Sequence, residues 1–192
     1  MPRFLPLTLL LLTGVGLTTA PFVPAPATAA PRGGFGVCPA PATATIDALY
    51  RWHLAHQTAG GRETLPSQRD LFTPLLYDRL RRAFALSPAD GAYLDFDPFS
   101  GTQVSTYGAR VEGCRPLADG VLEARVAVRA SLRPTSTEPP QQLLYRLEPG
   151  PGGAGWRIAD ITYPGSPPFT LSRSLEALFT YVRSQPPRRP AP

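Results

Sequence analysis

The sequence predicts an α+β fold, with N-terminal helices packed on an antiparallel sheet of about four strands and a short C-terminal helix. Two observations predict this fold. Apolar residues recur at helical spacing through the first half of the chain, and alternating or β-branched runs follow in the second half. The strongest strand is the run from Gly155 to Pro164, which contains Trp156, Ile158, Ile161 and Tyr163. The other elements are expected to pack around it.

The N-terminal residues 1–29 have the form of a secretory signal peptide. Arg3 is the only charge before an apolar run from Leu7 to Leu17, and small residues at Ala25-Pro26-Ala27 and Ala27-Thr28-Ala29 offer cleavage sites. An uncleaved anchor is the alternative, but the run is shorter than the roughly 20 residues that span a bilayer. We therefore expect an exported protein, periplasmic or extracellular. It would have a Pro/Gly/Ala-rich leader at 30–42, one domain at 43–184 and a disordered tail at 185–192.

Two cysteines, Cys38 and Cys114, remain after the predicted cleavage. In an oxidising compartment an isolated pair is most simply one disulfide, and two free buried thiols are the alternative. A bond between them would close a loop of roughly 75 residues, and this would stabilise the fold by about 4 to 5 kcal/mol through loop-closure entropy.

The composition excludes several functions. All 19 basic residues are arginine, and the chain has neither lysine nor asparagine. Schiff-base chemistry, a lysine phosphate loop and N-glycosylation are therefore excluded. Removing Arg3 lowers the net charge from +5 to +4, which favours solubility more than a nucleic-acid partner.

The first helix is predicted to begin at Thr43 or Thr45, either of which can cap it, and to end at Gly60-Gly61. A short helical turn with a Ser-x-x-acid cap at Ser67 precedes a second helix that starts at Thr73-Pro74. The stripes that face the core share 3.6-residue spacing: Ile46, Leu49, Tyr50, His53, Leu54 and Gln57 in the first helix, and Leu76, Tyr77, Leu80, Ala83 and Phe84 in the second.

Four strands and a helix are predicted after an aromatic, acidic loop that runs from Tyr93 to Gly101. The strands are Gln103–Cys114, a period-two run from Leu122 to Leu132, Gln141–Glu148 and Trp156–Tyr163. In the last strand, either both faces are covered or a bulge near Ala159-Asp160 switches the facing. The C-terminal helix is expected from about Ser172 to Arg183.

The pattern resembles the nuclear transport factor 2-like superfamily, a cystatin-like α+β cone, and within it an uncharacterised exported bacterial family. The residues that carry the resemblance run from Thr43 to Arg183: Tyr50-Arg51-Trp52-His53, an Asp-x-Asp-Pro-Phe loop at 95–99 followed by Gln103, the Gly155–Pro164 strand, and a Ser-Leu-x-x-Leu helix. The resemblance implies a curved sheet around a long helix that leaves a conical cavity, either open or filled by Trp156, Phe96 and Phe99. Some members are isomerases, cyclases or dehydratases, and many have no catalysis. Here Gln103 is followed by Val104-Ser105, where the narrower family has an acid.

The first candidate site combines Asp95 and Asp97 with Tyr93 and Gln103. Two carboxylates two residues apart in an extended segment point to opposite sides, so they form no close acid–base pair without a turn between them. One alone is a candidate base if an apolar cavity disfavours its charged form. The alternative is that both cap a turn or pair with an arginine.

The second candidate is the pair His53 and His56, whose spacing of three permits metal ligation. No further acid or thiolate accompanies them, so neither a metal site nor a cofactor is predicted. His53 is expected to be either a hydrogen-bonded core residue or the side chain of this helix that faces the cavity. The complete candidate pocket is Tyr50, His53, Tyr93, Asp95, Asp97, Gln103 and Trp156.

The third candidate is a set of arginines, Arg125, Arg129 and Arg133, which alternate on the polar side of one strand. A solvated face is the expected role, because no aromatic residues are interleaved for stacking on nucleic-acid bases.

The sequence thus favours an exported non-catalytic domain that binds a small apolar ligand or an envelope protein, with homodimerisation left open. One alternative is a small-molecule isomerase or hydrolase-like enzyme that uses Asp95 or Asp97 as a base, with His53 or Tyr50 orienting the substrate. The other is an envelope protein inhibitor or assembly factor.

Overall fold

A computed structural model describes residues 34–59, 61–87 and 93–185. The predicted signal peptide and nearly all of the predicted tail lie outside the described residues. The helices are α1 (Ala40–His56), α2 (Gly61–Thr64), α3 (Pro74–Ala85) and α4 (Leu171–Ser184), with a 3-10 helix at Leu65–Leu71. The strands are β1 (Ser105–Pro116), β2 (Leu122–Ser131), β3 (Gln141–Pro149), β4 (Trp156–Tyr163) and β5 (Phe169–Thr170). In this part of the chain no helix is long and apolar enough to cross a membrane.

The α+β class is confirmed: helices precede an antiparallel sheet, and a short helix follows it. The sheet is a meander in the order β1-β2-β3-β4-β5. The fifth strand was not predicted, because its two residues are too few for a periodic signal. It pairs Thr170 with Thr162 and Phe169 with Tyr163, and so leads the chain directly from the sheet into α4.

Strand β4 contains a bulge, so the second of the two arrangements considered for this strand is the one present. Arg146 pairs with Asp160 and Leu147 pairs with Ile158, so Ala159 has no opposite residue. One extra residue reverses the alternation, and Ile158 and Ile161 are consequently both fully buried. The Asp160 side chain accepts a hydrogen bond from the Ser172 N–H at 3.0 Å, which links the bulge to the start of α4.

The core lies between the sheet and the helical layer formed by α1, α3 and α4. Its largest fully buried side chains include Ile46 and Leu49 of α1, Leu80 of α3, Tyr145 of β3 and Leu171 of α4. Helix α1 packs against β1 and β4, while α3 packs against α4 and β4. Burial of these helix faces supplies most of the stability that their short lengths could not give alone.

Helix α1 begins at Ala40, three residues before the predicted start. Thr45 is not its cap; its hydroxyl lies 3.1 Å from the Pro41 carbonyl and 3.2 Å from the Trp156 carbonyl, so it links the helix to β4. The cap at Thr73 is present, because its Oγ1 accepts from the Leu76 N–H at 3.5 Å. Ser67 does not cap a helix and instead donates to the Thr64 carbonyl.

A disulfide joins Cys38 and Cys114, as predicted, and holds the segment before α1 on the edge of the sheet. Gly36 exchanges two backbone hydrogen bonds with Cys114, at 2.8 and 2.9 Å. The segment approaches so closely that a Cβ on Gly113 would lie 2.9 Å from the Gly36 carbonyl oxygen. Glycine is therefore required at 113 for the covalent link and the backbone pairing to coexist.

The predicted alternation in β2 fails at its C-terminal end. Leu132 was assigned to the core, but it is 86% exposed, and Ser131 is buried instead. The strand ends at Ser131, whose hydroxyl donates to the Arg133 carbonyl at 2.7 Å. Because the chain turns there, the period-two pattern no longer determines the direction of the next side chain.

Candidate functional site

The loop that carries the predicted acids is held around the carboxylate of Asp97. Its Oδ1 accepts from the Phe99 N–H at 2.9 Å, and its Oδ2 lies 2.9 Å from His53 Nε2 and accepts from the Thr106 hydroxyl at 3.3 Å. The backbone adds a second closure, since Asp97 N–H donates to the Thr102 carbonyl at 2.7 Å. Asp97 thus connects this loop to α1 through His53 and to β1 through Thr106.

His53 lies in the core-facing stripe of α1 and is 7% exposed. An ionised carboxylate only accepts hydrogen bonds, so Nε2 carries the proton and donates it to Asp97. Burial acts to raise the pKa of Asp97, but the hydrogen bond and charge of His53, with the Phe99 N–H, outweigh it and hold the pKa below its ordinary value. Asp97 is therefore a carboxylate at neutral pH, and both of its oxygens are hydrogen-bonded.

Three buried tyrosines fix the same loop from the core side. Tyr50 donates to the Phe99 carbonyl at 2.7 Å and lies 2.8 Å from the Tyr145 hydroxyl, which therefore donates to Tyr50. Tyr163 donates to the Pro98 carbonyl at 2.7 Å. Burial raises the pKa values of all three phenols above the ordinary value, so the hydroxyls stay protonated and remain donors.

Phe99 fills the interior of the fold. It is 1% exposed and lies edge-on to Trp52 and His53, with ring centroids 5.8 and 5.3 Å apart. The Asp-Pro-Phe sequence therefore inserts a core side chain whose two flanking carbonyls, those of Pro98 and Phe99, are both hydrogen-bonded. Phe99 thus fills the space beneath this loop, and the open space beside the loop lies on the outer side of Phe99.

On that side lies a cleft of about 520 Å³, which we call the α1–α3 cleft. Its walls are the C-terminal end of α1 from Trp52 onwards, Phe84 in the last turn of α3, and the loop at 93–104. Five of the seven predicted pocket residues line it: His53, Tyr93, Asp95, Asp97 and Gln103. Tyr93, Asp95 and Gln103 are exposed, whereas His53 and Asp97 form the inner wall.

Tyr50 and Trp156 do not line this cleft, which corrects the predicted pocket. Tyr50 is one helical turn too deep and is 4% exposed beneath Phe99, where its hydroxyl supports the loop. Trp156 begins β4, next to the Thr45 side of α1, and its carbonyl receives the Thr45 hydroxyl. The sequence places both on core-facing positions but does not show on which side of Phe99 each side chain lies.

The sequence did not predict the role of Gln57, whose side chain pairs with the backbone of β1. Its amide oxygen accepts from the Thr106 N–H at 2.9 Å, and its amide nitrogen donates to the Thr106 carbonyl at 3.0 Å. The side chain thus pairs with the edge of β1 as a neighbouring strand would. The signal in the sequence is an amide side chain one turn after His53, at the exposed position that follows the last residue of α1.

Trp52 is the other residue that was missed. Its side chain lines the cleft, it is 8% exposed, and its Nε1–H is buried without a hydrogen-bond partner among the described residues. His56 stacks on it, with centroids 6.1 Å apart and an interplanar angle of 26°. The Trp52 carbonyl receives His56 Nδ1–H at 2.8 Å, so Nε2 of a neutral His56 ring is an acceptor.

The electrostatic character of the cleft differs from that of the whole chain. None of its described lining residues is an arginine, although the chain has 19 basic residues, all arginine, and a net charge of +5. The carboxylates among the described lining residues are Asp97, whose two oxygens are both hydrogen-bonded, and the exposed Asp95. The charged side chains in the described lining, Asp95 and Asp97, therefore disfavour an anionic ligand.

The arginines on the sheet bind neighbouring groups of the same chain. Arg125 and Arg115 lie against the ring of Phe35, with guanidinium carbons 4.3 and 5.0 Å from its centroid. Arg125 also pairs with Glu112 at 3.8 Å, and Arg129 donates to the Tyr107 carbonyl at 3.0 Å. The two contacts with Phe35 help to hold the segment before α1 against the sheet, and the other two join β2 to β1.

No group of three or more His, Cys, Asp or Glu side chains in the described ranges is arranged to hold a metal ion. Comparison of the chain with protein-family models, with curated proteins and with solved structures finds no match in any of the three. The resemblance to the nuclear transport factor 2-like superfamily therefore stays a prediction, and the proposals about function depend on the geometry of the site.

Proposed function

We propose that this chain is an exported, non-catalytic domain that binds a small ligand in the α1–α3 cleft. The observation that carries the proposal is the cleft itself, about 520 Å³ in volume, where the aromatic side chains of Phe84 and Phe96 lie beside the exposed polar side chain of Asp95. The volume of the cleft falls in the range typical of small-molecule sites, which combine aromatic surface with a few polar groups.

The state of Asp97 supports binding without catalysis. A general base works best when its pKa lies near the operating pH, and Asp97 has a pKa held below the ordinary value of a carboxyl group. Its oxygens are already used by His53, Phe99 and Thr106. Abstracting a proton from a substrate would require breaking contacts that hold the loop in place.

Export is supported by two independent features. The disulfide between Cys38 and Cys114 is of the kind that persists in oxidising compartments. The first 29 residues have the composition of a signal peptide.

Native mass spectrometry of the mature protein from the exported fraction of its own cells tests the proposal. Gln103→Trp fills the cleft from an exposed lining position, and Gln142→Trp makes the same change on the exposed part of β3, outside the described lining of the cleft. We expect the native protein and Gln142→Trp to carry a small molecule that Gln103→Trp lacks. A bare mass for the native protein would overturn the proposal.

The contact between His53 and Asp97 favours a second candidate, an isomerase or hydrolase-like enzyme. Their 2.9 Å separation in the cleft wall is the geometry of a histidine oriented by a carboxylate. We place it second because Nε2 already donates to Asp97 and the ring is only 7% exposed. If the ligand found by mass spectrometry is converted to a product by the native protein, and not by a folded His53→Gln variant, this candidate replaces the first.

A further inference from the structure

We propose that the surface between helices α3 and α4 is a second ligand site, which binds an anionic amphiphile: a carboxylate or phosphate group joined to an apolar chain. This site, which we call the α3–α4 groove, shares no described lining residue with the α1–α3 cleft and does not depend on the function proposed for the cleft. Three features carry the inference: an excess of arginine, the fixed position of one guanidinium group, and apolar surface beside the charges.

The groove consists of two adjoining depressions of about 500 and 230 Å³, which share Arg82, Phe179 and Arg183. The two helices run in the same direction, since Arg79 contacts Glu176 and, one turn later, Arg82 contacts Phe179. Both C-terminal ends therefore lie at the same end of the groove. The other described lining residues are Leu75, Asp78, Arg81, Ala85, Leu86, Thr180 and Val182.

The charges of the groove are unequal. Its described lining carries four arginines and two acids. Each acid already lies against one arginine: Glu176 pairs with Arg79, and Asp78 lies 4.0 Å from Arg81. The two arginines that both depressions share have no carboxylate within 4.0 Å among the described residues. Two guanidinium groups thus remain for an external anion.

The helix ends account for only part of this excess charge. Arg82 and Arg183 lie in the last turns of α3 and α4, where a positive charge offsets the negative end of the helix dipole. Each helix end is equivalent to roughly half an elementary charge, so the two ends together offset about one of the two arginine charges. The remaining positive charge favours an anionic ligand and repels a cationic one.

Contacts with neutral groups hold both guanidinium groups in place. The guanidinium carbon of Arg82 lies 4.1 Å from the ring centroid of Phe179, which is itself buried. Arg183 donates to the Thr180 hydroxyl at 3.1 Å. The ring contact uses no N–H donor and the hydroxyl uses one, so both arginines keep donors for an oxyanion. Because Arg82 is fixed before binding, less conformational entropy is lost when the ligand binds.

Apolar side chains lie beside the guanidinium groups. The smaller depression contains no acid among its described lining residues, which besides three arginines are Ala85, Leu86, Phe179 and Val182. At the other end of the groove Leu75 is 63% exposed. A simple inorganic anion would leave this apolar surface in water, whereas an attached apolar chain would cover it. An uncharged amphiphile would cover the surface but leave the arginine charge without a counter-charge.

Titration calorimetry with four small probes tests the proposal. Octanoate is the anionic amphiphile, octyltrimethylammonium and 1-octanol replace its head group with a cation and a hydroxyl, and acetate lacks its chain. We expect octanoate to bind with one-to-one stoichiometry and the other three probes to bind at least about tenfold more weakly, since each lacks either the negative charge or the chain.

Removing the two unpaired charges in Arg82→Gln/Arg183→Gln should weaken octanoate binding by about tenfold or more, because both charged donors are lost. Arg69→Gln/Arg133→Gln is the matched control, since it lowers the net charge equally at residues outside the described lining of the groove. Arg69 also lies over an aromatic ring, with its guanidinium carbon 5.7 Å from the ring centroid of Tyr77. The control should change the affinity by less than about twofold.

A second pair of variants keeps every arginine in place, in case the first double variant fails to fold. Ala85→Glu adds a carboxylate to the smaller depression at an exposed helical position and should abolish octanoate binding. Ala177→Glu makes the same change at an exposed position of α4 outside the described lining, and should leave binding unchanged. Gln103→Trp, which fills the α1–α3 cleft, should also bind octanoate as the native protein does.

Vesicles of phosphatidylglycerol, with phosphatidylcholine vesicles as the reference without net charge, distinguish a lipid in a membrane from a free amphiphile. Binding of octanoate or of the phosphatidylglycerol vesicles that is lost in the groove variants supports the proposal and identifies the source of the ligand. The proposal is overturned if neither binds, if the folded groove variants bind as the native protein does, or if 1-octanol binds as tightly as octanoate. Loss of octanoate binding in Gln103→Trp would place the amphiphile in the cleft and would also overturn it.

Discussion

Replacing Asp97 with asparagine tests whether this carboxylate is the structural centre of the loop. The substitution keeps the size of the side chain and the acceptor for the Phe99 N–H, but it puts an amide where the oxygen received His53 and Thr106. Hydrogen bonds to a charged group contribute about 1.5 to 3 kcal/mol each when buried. With the Asp97 side chain 21% exposed, we expect a loss of about 2 to 4 kcal/mol in the free energy of unfolding at neutral pH.

The difference in stability between the native protein and Asp97→Asn should also depend on pH, in a direction that the pKa of Asp97 determines. The pKa of Asp97 is lower in the folded chain than in the unfolded chain, so its contribution is complete above the ordinary pKa of about 4. The contribution is lost as the pH falls through the lowered folded value. The stability difference between native protein and Asp97→Asn should therefore be smaller at pH 3 than at pH 5.

Urea unfolding followed by circular dichroism at pH 7, 5 and 3 measures both effects. Asp95→Asn is the matched control, since it is the same substitution two residues away at an exposed position, and it should cost less than about 0.5 kcal/mol. A loss below about 0.5 kcal/mol for Asp97→Asn, or a loss equal at pH 5 and pH 3, would refute the structural role of this carboxylate.

Two further predictions concern the backbone and the disulfide. Gly101 and Gly152 both have positive φ angles, +69° and +65°, but a Cβ at Gly101 would lie 2.8 Å from Tyr163, whereas one at Gly152 would have no atom within 4 Å. Gly101→Ala should therefore lower the urea midpoint by more than Gly152→Ala does. Equal shifts in the two variants would show that the contact with Tyr163 is unimportant. Replacing both Cys38 and Cys114 by serine should cost about 4 to 5 kcal/mol, because the bond closes a separation of 76 residues. An unchanged unfolding midpoint for the double variant would contradict this.

The sequence predicted the positions of the helices and strands better than the contacts that individual side chains make. Helical spacing located α1 and α3, and period-two alternation located β2, because one face of each is buried against the sheet or the helices. The start of α1 was placed at Thr43 or Thr45 because threonine is a good cap, but the disulfide and Pro39 allow the helix to begin at Ala40. The hydroxyl of Thr45 is used instead in a contact to Trp156, which is 111 residues away in the chain.

The candidate site was predicted in composition but not in the roles of its members. Asp95 and Asp97 were expected on opposite sides of an extended segment, and one of them proves to be exposed while the other forms the inner wall. The difference depends on the Phe99 N–H and the Thr106 hydroxyl, which lie nearby in the chain, and on His53, which lies 44 residues before Asp97 and which the spacing of the two acids does not reveal. The unpaired donor of Trp52 could not be predicted either, because it depends on the position of every neighbouring side chain.

The central claim, that a small ligand binds at Trp52 in the α1–α3 cleft, is tested most directly by the indole N–H resonances in a ¹H–¹⁵N spectrum. The chain has two tryptophans, so two indole peaks are expected, and Trp52→Phe assigns them. On adding low-molecular-mass extract from the exported fraction of its own cells, the Trp52 peak should shift because this side chain lines the cleft, while the Trp156 peak stays in place. An unchanged Trp52 peak, or movement of the Trp156 peak alone, would contradict the account.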